Sequence, residues 1–481
     1  MLRITQQPFR NFECIDSGLK LAQLTELEKI KHLYFRAGFG MSPTQLVHGR
    51  SSTLSDEIRA IFIGAKAKPD IGESRNLSLN KSAPSFLSKS MFDAGSQMNA
   101  EQELEIARNQ WIRQMAEDGP DLLQKMVYFW HCHFACVCPT AQLANGYRQT
   151  LTDHALGNYR DLVLAVAKSP AMIRFLNNQQ NRKQRANENF ARELMEVFTL
   201  GEGHYSEADV RAAARAFTGW SSDKGGKFVF RRNLHDYGPI TFRGHTGRLS
   251  GEDIVDIILM DKQAAHFLAS KLHTFFVNDL PDATFVDQIA AVLIQSHFDL
   301  STCMRFIFEH PSFYHVGNMG KRIKSPVELL VHLIKLLDLT FEDENALTFL
   351  QNTLGQTLYR PPNVAGWPAN RNWINNATLM LRLNLVKYLV DATGFDHAPT
   401  ASLKASGPMD VIQTINLQKN LDPLITIFAG TSFDVLEDQI KSMLLAGGSK
   451  QKLSKPGDTR SPDFIQRALL RTMQLPEFQL C

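Results

Sequence analysis

Histidine and cysteine crowd one short stretch of this sequence, Trp130-His131-Cys132-His133-Phe134-Ala135-Cys136-Val137-Cys138. Neutral imidazoles and thiolates are common side-chain ligands of zinc and other transition metals. Two histidines two positions apart diverge on a regular helix, so His131 and His133 reach one ion only if the helix turns or ends there. The spacing is not that of a zinc finger, which pairs Cys-x-x-Cys with a distant Cys or His pair. The ordinary alternative is a buried helix end, with histidines bonded to backbone and cysteines packed as small apolar residues.

Two further segments carry polar chemistry. In Asn187-Glu188-Asn189-Phe190-Ala191-Arg192-Glu193-Leu194-Met195-Glu196, the residues Glu188, Arg192 and Glu196 fall at i, i+4 and i+8 and line one helical face. Carboxylates gathered round one arginine bind a metal or act as acid and base when they line a cleft, and otherwise form weak solvated pairs. His235-Asp236-Tyr237-Gly238, followed by Thr241, Arg243 and His245, lies in an irregular segment, where binding residues are over-represented. Arg211 and Arg215 are spaced to clamp an anion, though two helical arginines are more often simply solvated. Tyr359-Arg360-Pro361-Pro362-Asn363-Val364-Ala365-Gly366-Trp367-Pro368 is a stiff, aromatic loop suited to wall a pocket or to close a packed connection.

Composition narrows the classes. Of 481 residues, 44% are hydrophobic and 21% charged, enough apolar surface for a large core. The net charge of +3, from 52 basic and 49 acidic residues, argues against a nucleic-acid footprint over the whole chain. The basic clusters Arg182-Lys183-Gln184-Arg185 and Lys321-Arg322-Ile323-Lys324 are short, so no nucleic-acid partner is expected from them. No apolar run approaches the ~18 residues of a membrane span, so no transmembrane segment is expected. The N-terminus has no apolar core of a secretory signal, and the expectation is a cytoplasmic protein. Six cysteines in this length do not make a disulfide scaffold. Walker A, dinucleotide-binding, His-Glu-x-x-His and Gly-x-Ser-x-Gly motifs are missing from the sequence.

The elements that must position these residues read as helices. Apolar periodicity predicts helices over Leu24–Phe35, Ala100–Phe134 with a break at Gly119-Pro120, Tyr159–Ala167, Asn187–Leu200, and from Ser206 to near Gly219. Gly201 stands where a helix C-cap is expected, and Ser206 with Asp209 forms a capping-box pattern. Helices resume from Gly251 to about Val390, broken at Arg360–Asn372, with a weaker helical stretch over 408–446 and a last helix ending near Met473. Phe228–Phe230 and Ile240–Phe242 read as two short strands of a hairpin-like excursion near 226–243. The expected fold is therefore mainly α: a large single multi-helical domain over 1–446, with a surface loop at 64–98 and an irregular insert at 221–250. Residues 447–481 supply a linker and a closing C-terminal helix of the same domain.

These blocks, in this order, resemble the bacterial "domain of unknown function 1800" family. The likeness starts at His32-Leu33-Tyr34-Phe35-Arg36-Ala37-Gly38-Phe39-Gly40 and passes through Phe129–Phe134. It is strongest over Arg148–Trp220 and continues at His235–Gly244, Lys324–Leu329, Arg360–Pro368 and Pro476-Glu477-Phe478-Gln479. The resemblance implies a mainly helical bacterial protein whose gene commonly adjoins that of a sulfatase- or alkaline-phosphatase-like protein, and so a two-component arrangement. Two departures stand out. The family usually has a residue such as Asn where this chain has Cys132, and a lysine where it has Ile240, with Arg243 three residues on as a substitute. Cys136 and Cys138 match no motif of the family.

The blocks that carry the resemblance are polar. The leading expectation is accordingly a metal-assisted enzyme of hydrolytic type. His131, His133 and His235 would be ligands of a divalent metal, zinc or iron. Glu193 and Asp236 would be further ligands or general bases, with Glu188 and Arg192 orienting substrate. The alternative is a non-catalytic binding or assembly partner of the sulfatase/phosphatase-like neighbour, in which the same groups form a buried structural network. Geometry separates the two: the enzyme requires these segments to converge on one solvent-reachable pocket.

Overall fold

A computed structural model of the chain describes residues 24–65, 99–117, 122–223, 225–339, 341, 344–391, 433–447, 449 and 462–481. Of the expected surface loop at 64–98, Gly64 ends a helix and residues 66–98 lie outside the described residues, as does most of the linker after 447. The fold is mainly α, with nineteen helices among the described residues. Residues 408–432 of the expected helical stretch are not described, but Phe433–Leu444 is a helix.

Short polar residues start most of the helices by accepting the first free backbone N–H groups. Thr25 and Glu28 box the start of α1 (Glu26–Ala37), and Ser42 with Gln45 boxes α2 (Pro43–His48), whose first residue is a proline. α3 spans Leu54–Gly64. The predicted Ala100–Phe134 region is two helices, α4 (Ala100–Ala116) and α5 (Leu122–His133). α6 (Ala141–His154), α7 (Tyr159–Lys168) and α8 (Pro170–Phe175) follow. α9 (Asn189–Glu193) runs into a π-turn at Leu194–Thr199, and α10 (Glu207–Ala216) starts at the expected Ser206–Asp209 box.

One continuous apolar cluster runs from Ile30 to Phe478. Its centre is the helix Pro326–Leu337, every residue of which is buried. That helix buries Glu328, His332 and Lys335 along with its apolar residues, so it is enclosed on every side, and it packs against α4. The long helices Lys262–Phe276 and Ala283–Gln295 pack against each other. No helix among the described residues is long and apolar enough to cross a membrane.

Both predicted strands exist, but they do not pair with each other. Phe228–Phe230 pairs antiparallel with Trp220–Ser222, and Ile240–Phe242 pairs with His245–Gly247, giving two small hairpins. The stretch between them is occupied in closing the end of α10, so each strand takes the partner that a short turn supplies. Ile240 is buried, and Arg243 pairs with Asp261.

Candidate functional site

α5 ends at the two signature histidines, and both rings are buried. The Nε2 of His131 accepts the backbone N–H of Tyr359 at 3.2 Å. An amide N–H can only donate, so Nε2 carries the lone pair and Nδ1 carries the proton. The ring lies among Trp111, Tyr359 and Trp367, with centroids 5.0 to 5.1 Å away. Burial drives its pKa down to about 3, so the ring is neutral at pH 7. Tyr359 sits in left-handed backbone (φ 61°), and its carbonyl accepts from Cys138 N–H at 3.1 Å. Gly366 (φ +87°) brings the aromatic loop so close that an added Cβ would stand 2.7 Å from the Cys132 carbonyl oxygen. The proline-rich loop is thereby fastened to the end of α5.

His133 turns the other way. Its Nε2 donates to the carbonyl of Phe198 at 3.1 Å, and the Tyr159 hydroxyl donates to the same oxygen. That carbonyl is the next-to-last of the π-turn. The turn gains its extra residue because the Leu200 and Gly201 N–H groups both reach back to Met195 O, at 2.8 and 3.0 Å. Gly201 supplies the positive φ that ends it. Burial, and to a lesser degree Lys271, hold His133 at a pKa of about 3.

His235 serves a third place. Its Nδ1 donates to Thr218 O at 2.8 Å, beyond the end of α10. The Thr218 hydroxyl donates to Arg215 O at 2.6 Å and accepts Asp236 N–H at 2.8 Å. The Asp236 carboxylate takes Arg215 Nε at 2.7 Å and Gly238 N–H at 2.9 Å. Pairing with Arg215 holds the Asp236 carboxyl below its usual range. A Cβ at Gly238 would stand 2.8 Å from the Arg215 guanidinium, so a side chain there would have to displace the end of that arginine. The His-Asp-x-Gly block thus satisfies carbonyls that the end of a helix leaves open.

The structure sets His131, His133 and His235, the expected metal ligands, against three different segments. Each ring bonds a different backbone group. Among the described residues no group of three or more His, Cys, Asp or Glu side chains could hold a metal ion. Burial pushes the Cys132 thiol up to about 12 and raises Cys136 too, so both thiols are protonated at pH 7.

The α9 block does assemble a polar face, with members that the spacing did not reveal. Arg192 is held by both oxygens of Glu207, at 2.7 and 2.8 Å, and by Glu188 at 3.3 Å. Glu196, the third of the predicted face, instead accepts the Tyr205 hydroxyl, because the π-turn rotates it away from Arg192. Burial and then the neighbouring Glu196 raise the pKa of Glu193, the half-buried carboxyl of the set. Asp236 belongs to the separate pair with Arg215. Glu207, Tyr205, Thr218 and Tyr159 were not signalled as site residues, and Tyr359 was signalled only as part of the stiff aromatic loop. Glu207 was legible only as an acid in the first turn of a helix.

A family model described as "Protein of unknown function (DUF1800)" matches residues 32–480. The chain belongs to that family. No curated protein and no solved structure matches it.

Proposed function

We propose that this DUF1800-family protein acts as a non-catalytic binding or assembly partner, with the sulfatase/phosphatase-like product of an adjoining gene as the protein it serves. One observation carries the reading: each signature imidazole bonds a backbone group of a remote segment. His131 holds Tyr359, His133 holds Phe198 and His235 holds Thr218. Groups used in this way stiffen a scaffold and leave its surface to do the recognition. The metal-assisted hydrolase built on the three histidines loses its main support, since their nitrogens face different segments.

The test is co-expression with the adjoining hydrolase-like protein, followed by size-exclusion chromatography with light scattering. Co-elution as a complex of defined mass is the expected result. Separate elution at micromolar concentration of both proteins overturns the reading.

A second, hydrolytic reading is favoured by Glu193, whose raised proton affinity beside Glu196 suits a general acid that needs no metal. Glu188 and Arg192 would bind substrate beside it. That reading expects turnover of p-nitrophenyl phosphate or sulfate that Glu193→Gln abolishes without unfolding the protein. Absence of turnover, or turnover untouched by the substitution, removes it.

A further inference from the structure

The near-neutral total charge conceals a local excess. From Asn178 to Asn187 and from Lys224 to His235 the chain contains no acidic residue, yet these stretches hold Arg182, Lys183, Arg185, Lys227, Arg231 and Arg232. The fold lays the two stretches together. Gly219 N–H donates to Asn181 O at 3.0 Å, Arg231 N–H donates to Gly219 O at 2.8 Å, and Lys183 N–H donates to Leu234 O at 2.9 Å. Arg182 and Arg185 face each other across a tight antiparallel bridge. The side chains of Arg182, Lys183, Arg185, Arg231 and Arg232 are all exposed, and none is ion-paired among the described residues. The acids nearest in sequence are engaged: Glu188 with Arg192, Asp236 with Arg215, and Asp223 with the Lys227 N–H.

Two aromatic rings stand beside these cations. Phe230 is 38% and Tyr237 55% exposed, and both pack edge-on against the His235 ring, at 5.1 and 4.6 Å. Large apolar rings left in water next to unpaired cations fit a ligand that brings both negative charge and flat faces. We propose that this basic, aromatic shoulder binds single-stranded nucleic acid, the arginines and lysine meeting phosphates and Phe230 and Tyr237 stacking on bases. A duplex keeps its base faces covered, and an acidic polypeptide carries charge without a run of flat faces. The surface is independent of the partner reading above.

The test uses the full-length protein and a fluorescein-labelled oligothymidine of about 20 nucleotides, followed by fluorescence anisotropy in 50 to 200 mM KCl, a length and salt range suited to such sites. The expected result is salt-sensitive binding with a log–log slope of about −3.5, from roughly 0.7 per phosphate neutralised by five cations. Arg182→Glu combined with Arg232→Glu should weaken it at least tenfold and flatten the slope by about 1.4. Phe230→Ala and Tyr237→Ala should each weaken it by about fivefold or more with the slope unchanged. Thermal melting of every variant establishes that it is folded. No binding at the lowest salt overturns the proposal. So does binding that the aromatic variants leave untouched, which is plain charge attraction, or equal competition by polyglutamate, which marks an acidic polypeptide as the ligand.

Discussion

At His131 a backbone amide decides the state of a side chain. The Tyr359 N–H leaves only the neutral Nδ1–H form, and burial holds it there. His133 is equally committed, as donor to Phe198 O. Both rings have folded pKa values of about 3 against an ordinary 6.5. Between those values the unfolded chain binds more protons than the folded one. Their contribution to stability is therefore complete above pH 6.5 and is lost as the pH falls toward 3. Urea denaturation from pH 7 to 4 should show that fall, and His133→Gln, whose amide can still donate to Phe198 O, should reduce the slope by about 1.4 kcal/mol per pH unit. A slope unchanged in the variant would mean that His133 titrates in the folded state. The chemistry of these rings was legible in the sequence as a buried helix end, but their partners were not. Tyr359 is 228 positions from His131, and nothing in the spacing of a helix points to it.

At the scale of elements, sequence periodicity located the helices well because caps and apolar faces are local signals. Ser42-Pro43, Ser206–Asp209 and Gly201 all act as their residue types suggest. Periodicity failed where tertiary contacts override it. The helix expected over Asn187–Leu200 begins at Asn189 and widens into a π-turn, whose Phe198 carbonyl is satisfied by His133 and Tyr159 rather than by its own helix. The two strands near 228 and 240 took other partners for a similar reason, since the loop between them caps α10. The loop at Gly366 gives a sharp test of such contacts. Gly366→Ala places a methyl against the Cys132 carbonyl in left-handed backbone, and should cost about 1–3 kcal/mol in urea denaturation. Gly226→Ala shares the positive φ but meets nothing closer than 3.8 Å, so it should cost less, about 1 kcal/mol. Equal costs would show that the loop is not pressed onto α5.

Across the whole molecule, remote segments are tied by a buried ionic knot that the sequence did not announce. Glu328 caps the central helix through Ser325 and pairs with Lys125 of α5 and with Arg322, while Arg322 and Lys324 bond the closing segment at Cys481 and Gln479. Burial pushes the Glu328 carboxyl up, but Arg322 and Lys125 together pull it well below the usual carboxylate range. Glu328→Ala leaves two cations buried without their carboxylate and should cost about 3–5 kcal/mol in urea denaturation; a loss under about 1 kcal/mol would mean that the cations find other partners. Charge patterning could suggest Lys321–Lys324 only as a basic cluster, because its acid lies inside the capping box of the next helix.

The central claim is that the signature histidines close the fold rather than hold a metal. Elemental analysis of the untagged protein, after incubation with zinc or ferrous iron and desalting, tests it against a His131→Ala/His133→Ala double variant. The account predicts no stoichiometric metal in the parent, and in the double variant a large loss of stability with metal content unchanged. Near-stoichiometric zinc or iron in the parent that disappears from a folded double variant would contradict it.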